Sequence, residues 1–171
     1  MSGLRAAAAA AALFTAALAS PAAAPSFGGG YWSAYGPGRI ALKKAGLRPV
    51  EVFANLRFGF DGNAGDGSGT GTLFAYDESG DTVIGTMPFS YSARSGTSCT
   101  LDLDSPAMES FLAGRIEAGT GQAATVAVDE AVAKVSLRSA GEDLRAAVRA
   151  SGSVVLAGGP ERRMAVNLRV R

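Results

Sequence analysis

Apolar and polar residues alternate strictly between residues 50 and 60. The apolar positions are Val50, Val52, Ala54, Leu56, Phe58 and Phe60. Because successive side chains of a β-strand point to opposite faces, this alternation predicts a strand with one buried face. A glycine-rich insert over 61–71 follows it. Two further strands, over 72–76 and 83–91, complete a predicted antiparallel meander.

The same reasoning predicts shorter strands on either side of the meander. They cover 39–43, 100–104 and 124–128, and a last hairpin pairs 154–157 with 164–171. Residues 129–137 leave two alternatives open. They form either a partner strand that begins at Val132 or a helical turn over 129–135.

In one segment the apolar residues repeat with the period of a helix instead of that of a strand. Its apolar positions are Met108, Phe111, Leu112 and Ile116. Ser105 can cap a helix N-terminus, Pro106 is tolerated in the first turn, and Gly119 is typical of a helix end. We therefore expect an amphipathic helix over 106–118 that covers one face of the sheet.

A second helix is predicted over 140–151. Ser139 and Glu142 have the spacing of a capping box. The residues that would form the apolar side of this helix are Leu144, Ala147 and Val148. Strands and helices together indicate an α+β fold, a mainly antiparallel sheet of about six to eight strands with two short amphipathic helices packed on it. We expect the sheet to be curved or to form a half-barrel.

The N-terminus has the pattern of an export signal. Arg5 supplies a positive charge, a short apolar run follows, and Ala17 and Ala19 occupy the two positions that a signal peptidase reads. We expect a signal peptide over 1–19, with cleavage as late as Ala24 as the alternative. The apolar run is too short to span a bilayer, and no other stretch is apolar enough. A soluble periplasmic or secreted protein, with no transmembrane segment in the mature chain, is therefore predicted.

Glycine and aromatic residues dominate residues 20–38, which we expect to form an N-terminal arm before a single domain over 39–171. Its large aromatic side chains are Tyr31, Trp32 and Tyr35. They either pack across a groove of their own domain or form an exposed platform that binds a sugar or a protein.

The charges of the chain balance but are unevenly distributed. The chain has 16 basic and 15 acidic residues, and loss of Arg5 with the signal peptide makes the two numbers equal. The mature chain then has no net charge, so we expect no nucleic-acid partner. Acidic residues concentrate in 61–130 and basic residues in 131–171. The last strand carries a basic stripe of Arg162, Arg163, Arg169 and Arg171. This stripe either binds an acidic glycan or protein or protects an exposed edge strand from unwanted pairing.

The chain contains no histidine and a single cysteine, Cys99. The lack of histidine removes Ser–His–Asp and Cys–His catalysis and histidine-ligated metals. One cysteine cannot form an internal disulfide. We expect Cys99 to be a buried thiol at a strand edge, with an intermolecular disulfide as the alternative.

Two acidic loops are candidate binding sites. Asp77, Ser79 and Asp81 have the spacing of the first three ligands of an EF-hand, although Pro88 stands where its bidentate glutamate would be. Calcium is therefore the one cofactor that the sequence leaves open, and the alternative is a plain hairpin turn.

The second acidic loop is the glycine-rich insert over 61–71. It offers the oxygen atoms of Asp61, Asn63 and Asp66. A strand follows it rather than the helix of a phosphate-binding loop. The alternative is a flexible hairpin tip without a ligand.

These observations predict an exported, non-catalytic binding or structural module of the bacterial periplasm or cell envelope, with a protein or a glycan as partner. One alternative is an inhibitor that presents the 61–71 or 94–98 loop to a secreted hydrolase. The other is a glycan hydrolase that uses two carboxylates as acid and base. Its candidate residues are Asp61, Asp66, Asp77 and Asp81.

Overall fold

The computed structural model describes residues 30–43, 48–61, 68–95, 97–137 and 144–171. Within these ranges, eight antiparallel strands follow one another around a closed barrel. The strands are β1 (Gly30–Leu42), β2 (Val50–Phe60), β3 (Ser68–Tyr76), β4 (Val83–Ser95), β5 (Ser98–Leu103), β6 (Ala124–Leu137), β7 (Leu144–Leu156) and β8 (Arg162–Val170). One helix, α1 (Ser105–Thr120), connects β5 to β6. The mainly antiparallel sheet is confirmed.

The barrel is closed by pairing between β1 and β8, so the expected half-barrel is wrong. Ile40 lies opposite Val166 and Gly38 opposite Leu168. A Cβ atom at Gly36 would collide with the backbone carbonyl oxygen of Arg169 on β8, so the missing side chain at Gly36 allows the two strands to approach. β1 also begins at Gly30, which places residues 30–38 of the expected N-terminal arm within the barrel wall.

Apolar side chains fill the interior of the barrel. On β2 the six alternating apolar residues of the sequence pattern are all buried, which confirms the predicted strand. Toward the end of the barrel where β2 terminates, the ring of Phe60 packs edge-on against Phe89 and Tyr91, at centroid distances of 5.3 and 5.2 Å. Within the described ranges, every residue that is buried as a whole is a glycine or belongs to the hydrophobic types, Tyr91 and Cys99 included. The interior is therefore a hydrophobic core.

Helix α1 confirms the prediction over 106–118, but its ends lie elsewhere. Asp104, rather than Ser105, caps the N-terminus, because its Oδ2 accepts a hydrogen bond of 3.0 Å from the Ala107 amide. The helix continues past Gly119 to Gly121, whose φ of 70° lies in the left-handed region that glycine adopts without strain. No helix in the described ranges has the length and apolar character needed to span a membrane.

Helix α1 covers one end of the barrel. Its buried residues are the predicted stripe of Met108, Phe111, Leu112 and Ile116. The helix contacts β2, β4 and β6, all of which begin at this end. Glu109 Oε1 accepts a 2.9 Å hydrogen bond from the Val128 amide on β6. We call this the helix end of the barrel and the opposite one the loop end.

The second predicted helix is wrong, because residues 144–156 form the strand β7. Leu144, Ala146, Val148 and Ala150 are buried and alternate with outward-facing residues. Because Ala146 and Ala147 are both small and apolar, the apolar residues of this segment fit the period of a helix as well as that of a strand. The sequence pattern therefore does not distinguish a helix from a strand here. The proposed capping box over 139–142 lies outside the described residues.

Residues 124–137 form one strand, β6, and neither a hairpin nor a helical turn. A register shift between Val128 and Glu130 inserts an extra residue, Asp129. Such a β-bulge breaks the alternation of the sequence, which is why one long strand resembled two short segments.

Candidate functional site

Strand β1 directs its aromatic side chains to both sides of the barrel wall. Trp32 points inward and packs, partly buried, against the core. Tyr31 and Tyr35 point outward and are 63% and 66% exposed. Trp32 therefore packs within its own domain, whereas both tyrosines are exposed.

Strand register adds further aromatic residues to the two tyrosines. Phe53 on β2 lies 6.4 Å from Tyr35, and Phe74 on β3 lies 6.4 Å from Tyr31, measured between ring centroids. Tyr76 on β3 faces outward in the same row as Tyr35, with Asn55 between them. We call this outer surface the aromatic face; its members are Tyr31, Tyr35, Phe53, Phe74 and Tyr76.

The ring of Tyr31 is held in place by its neighbours on β2. The Arg57 guanidinium carbon lies 4.4 Å from the ring centroid, the geometry of a cation–π contact. The ring also lies over Gly59, where a Cβ atom would be only 2.8 Å from Tyr31 Cε1. The missing side chain at Gly59 thus allows the ring to lean toward Phe74.

Polar side chains separate the rings of the aromatic face. Ser33 faces outward between Tyr31 and Tyr35, and Asn55 lies between Tyr35 and Tyr76. The surface therefore offers ring faces and hydrogen-bonding groups side by side. Tyr31 and Tyr35 are candidates from the sequence alone, whereas Phe53, Phe74 and Tyr76 are not, although all three occupy outward positions of their strands.

The glycine-rich loop begins at the loop end of the barrel. Asp61 is exposed, its amide donates to the Thr70 carbonyl at 2.9 Å, and its Oδ2 accepts a hydrogen bond of 3.4 Å from the Thr70 hydroxyl. Asn63 and Asp66 lie outside the described residues. A binding site at this loop therefore stays a prediction.

Asp77 organises the turn between β3 and β4. Its Oδ1 atom accepts hydrogen bonds from the Ser79 hydroxyl at 2.7 Å and from the amides of Gly80, Asp81 and Thr82 at 2.9 to 3.3 Å. These bonds are those of a hairpin turn stabilised by an aspartate. Calcium binding by Asp77, Ser79 and Asp81 stays a prediction, and it would require Oδ1 to exchange these donors for the ion.

The hydrogen bonds at Asp77 predict a pH-dependent stability. The Ser79 hydroxyl, followed by the amides of the turn, lowers the pKa of this carboxyl below its usual value of 3.8. The contribution to folding is then fully present above pH 3.8 and is lost as the pH falls through the lower folded-state pKa. Denaturant unfolding should show Asp77→Ala less stable than the wild type at neutral pH, with the difference shrinking in acid.

Asp81→Ala is the matched control for this experiment. It removes an exposed carboxylate four residues away in the same turn, and the Asp81 amide that donates to Asp77 is retained. A difference between Asp77→Ala and wild type that stays constant from neutral pH to about pH 2 would contradict the assigned role of the Asp77 carboxylate.

Cys99 is buried inside the barrel, with 2% of its surface exposed. Burial raises the pKa of its thiol to about 12, so the nucleophilic thiolate is scarce at neutral pH. The buried thiol expected from the sequence is present, but β5 is paired on both sides and is no edge. This burial argues against an intermolecular disulfide through Cys99 in the folded barrel.

The barrel separates the carboxylates of the alternative glycan hydrolase. Asp61 lies at the loop end, before β3, and Asp77 and Asp81 lie beyond its other end. A nine-residue strand is roughly 27 Å long, whereas the two carboxylates of a glycosidase lie within about 10 Å of each other. Asp61 therefore cannot work with Asp77 or Asp81 as an acid–base pair, and Asp66 lies outside the described residues.

The basic stripe of the last strand does not lie on a sheet edge. β8 pairs with β7 on one side and with β1 on the other. Protection of an exposed edge, the structural explanation suggested by the sequence, is therefore wrong. The exposed arginines here need another explanation; they are Arg163 and Arg169 on β8 and Arg171 directly after it.

No family model matches this chain, and comparisons with characterised proteins and with solved structures found no match.

Proposed function

We propose that this protein is an exported, soluble, non-catalytic binding module that binds a glycan on its aromatic face. The exposure of Tyr31 and Tyr35 carries the proposal, because two large rings on one outer surface stay 63% and 66% accessible. Large aromatic side chains are usually buried in the core, so a cluster of them that is exposed on the surface favours a binding role. Export rests on the signal peptide expected over 1–19.

A glycan fits the aromatic face better than a protein partner does. Sugar rings combine apolar C–H faces with many hydroxyl groups, so they need ring faces and hydrogen-bonding groups side by side. The aromatic face supplies this mixture, with Ser33, Asn55 and Arg57 between its rings. The centre of a protein–protein interface is instead contiguous, apolar and fully dehydrated, with polar groups at its rim.

Removal of the exposed rings should weaken glycan binding. Stacking one sugar on a half-exposed tyrosine buries enough apolar surface for about 1–2 kcal/mol, or roughly tenfold in affinity. We expect Tyr31→Ala and Tyr35→Ala each to lose this amount. Affinity electrophoresis of the mature protein against a panel of neutral and acidic bacterial polysaccharides measures the effect.

Thr125→Ala provides the control, since Thr125 is exposed on β6 and lies outside the aromatic face. It should bind nearly as the wild type does. The proposal fails if no polysaccharide retards the wild-type protein, or if the two tyrosine variants bind like the Thr125 control.

A further inference from the structure

Barrel closure brings basic residues from separate parts of the chain onto one outer surface. We call this surface the basic face; its members are Arg39, Lys134, Arg145, Arg149, Arg169 and Arg171, all of them exposed. They lie on β1, β6, β7 and β8 or, for Arg171, directly after β8. In contrast, the outward positions of β3, β4 and β5 include only two charged residues among those described, Arg94 and Asp102.

Strand register arranges the basic face in staggered rows. Arg149 lies opposite Asn167, which lies opposite Arg39. In the next row, Ala147 separates Lys134 from Arg169. Because like charges directly opposite each other destabilise a sheet, an uncharged residue between two cations lowers the cost of the cluster. Arg39 also lies opposite Glu51 on β2, which offsets part of the remaining repulsion.

Two shallow grooves cross the basic face. One, of about 430 Å³, is lined by residues that include Lys134, Arg149 and Glu130. The other, of about 370 Å³, is lined by Pro37, Gly38 and Arg39 of β1 together with Glu51, Asn167 and Arg169. Asn167 and Arg149 are opposite each other in the register, so the two grooves are neighbours.

The basic face and the aromatic face are continuous. The backbone groups of Tyr35 and Arg171 form two hydrogen bonds of 3.0 Å, so their side chains emerge next to each other. Arg39 in the second groove is likewise two residues from Pro37, which lies opposite Phe53. One extended ligand can therefore contact arginines and aromatic rings at the same time.

We infer that the ligand is an anionic polysaccharide that lies across the strands from the basic face to the aromatic face. Its acidic groups pair with Arg39, Arg149 and Arg169, and its sugar rings stack on Tyr35 and Phe53. Guanidinium groups suit this role because their forked donors match the two oxygen atoms of a carboxylate or sulfate. This inference rests on the proposed function and names its ligand class.

Nucleic acid also combines negative charge with stacking surfaces, and the basic face would attract either polyanion. The expected export favours the polysaccharide, because it takes the protein away from nucleic acid. Binding to a single-stranded oligonucleotide is therefore kept as an outcome of the test.

The test measures binding of the mature protein to four probes by biolayer interferometry: polygalacturonate, dextran sulfate, uncharged dextran and a single-stranded oligodeoxynucleotide. We expect a carboxylated or sulfated probe to bind at least about tenfold more tightly than dextran, and this preference to fall when salt shortens the screening length. Comparison of polygalacturonate with dextran sulfate identifies the acidic group. Tighter binding of the oligonucleotide than of both acidic glycans would overturn the inference.

Arginine variants locate the interaction. Arg149→Ala and Arg169→Ala should each weaken binding of the acidic probe by roughly threefold to fivefold, the range of exposed ion pairs. Arg48→Ala is the control, since Arg48 is equally exposed but lies at the helix end before β2. Equal binding by all three variants would overturn the inference.

The two proposals fail in different ways. If dextran binds as tightly as the acidic probes and Tyr31→Ala still weakens it, the glycan-binding function stands and the anionic ligand is wrong. If no glycan binds, or if the tyrosine variants bind as the wild type does, the proposed function itself is wrong.

Discussion

Replacing Phe58 by alanine is expected to lower the free energy of unfolding by about 3–5 kcal/mol. Phe58 lies on β2 with none of its surface exposed. Its removal costs the transfer free energy of the ring and leaves a cavity that the hydrogen-bonded barrel wall cannot collapse to fill. Because small domains are stable by only about 5–15 kcal/mol, the loss is a large part of the total. Urea unfolding followed by circular dichroism measures it.

Phe53→Ala is a control for this prediction on the same strand. The side chain of Phe53 points outward and is 43% exposed, so the same chemical change should cost less than about 1 kcal/mol. Phe53 belongs to the aromatic face, and its loss should weaken glycan binding instead. If both variants were destabilised equally, Phe58 could not point into the barrel while Phe53 points to solvent.

The strands with strict alternation could be predicted from the sequence, and those rich in alanine could not. β2 is predicted over its full length because six apolar residues, five of them large or β-branched, all point to the same side of the strand. The sequence pattern predicts a helix for the first part of β7, up to residue 151, because alanine occupies both buried and outward positions, at Ala146, Ala147 and Ala150. Barrel closure was also missed, since it depends on glycines in β1 that the sequence pattern associates with a loop.

The candidate site was predicted in part, for a related reason. Tyr31 and Tyr35 are conspicuous in the sequence, but their contacts with Phe74 and Phe53 depend on strand register, which links residues far apart in the chain. The basic stripe of β8 was likewise visible. Its relation to Arg39 and Arg149 exists only because β8 pairs with both β1 and β7. Local pattern thus identified the residue types, and topology determines which of them share a surface.

Helix α1 is expected to be essential for the stability of the barrel, which Ile116→Asp tests directly. Ile116 is fully buried where the helix covers the barrel end. A carboxylate there would have to remain charged without partners or take up a proton, and either costs several kcal/mol in addition to the lost apolar contacts. We expect the variant to be largely unfolded at neutral pH. Circular dichroism and the fluorescence of Trp32, the single tryptophan, report the loss of folded protein.

Two further variants keep this prediction testable. Ile116→Ala should remain folded and lose about 2–5 kcal/mol, which denaturant unfolding can measure. Ala118→Asp places the same charge two residues later on an exposed position of the helix and should cost about 1 kcal/mol or less, mainly through the unfavourable helix dipole. If Ile116→Asp were as stable as Ala118→Asp, the helix could not be packed into the barrel end. The eight strands would then have to be stable with that end of the core exposed to water.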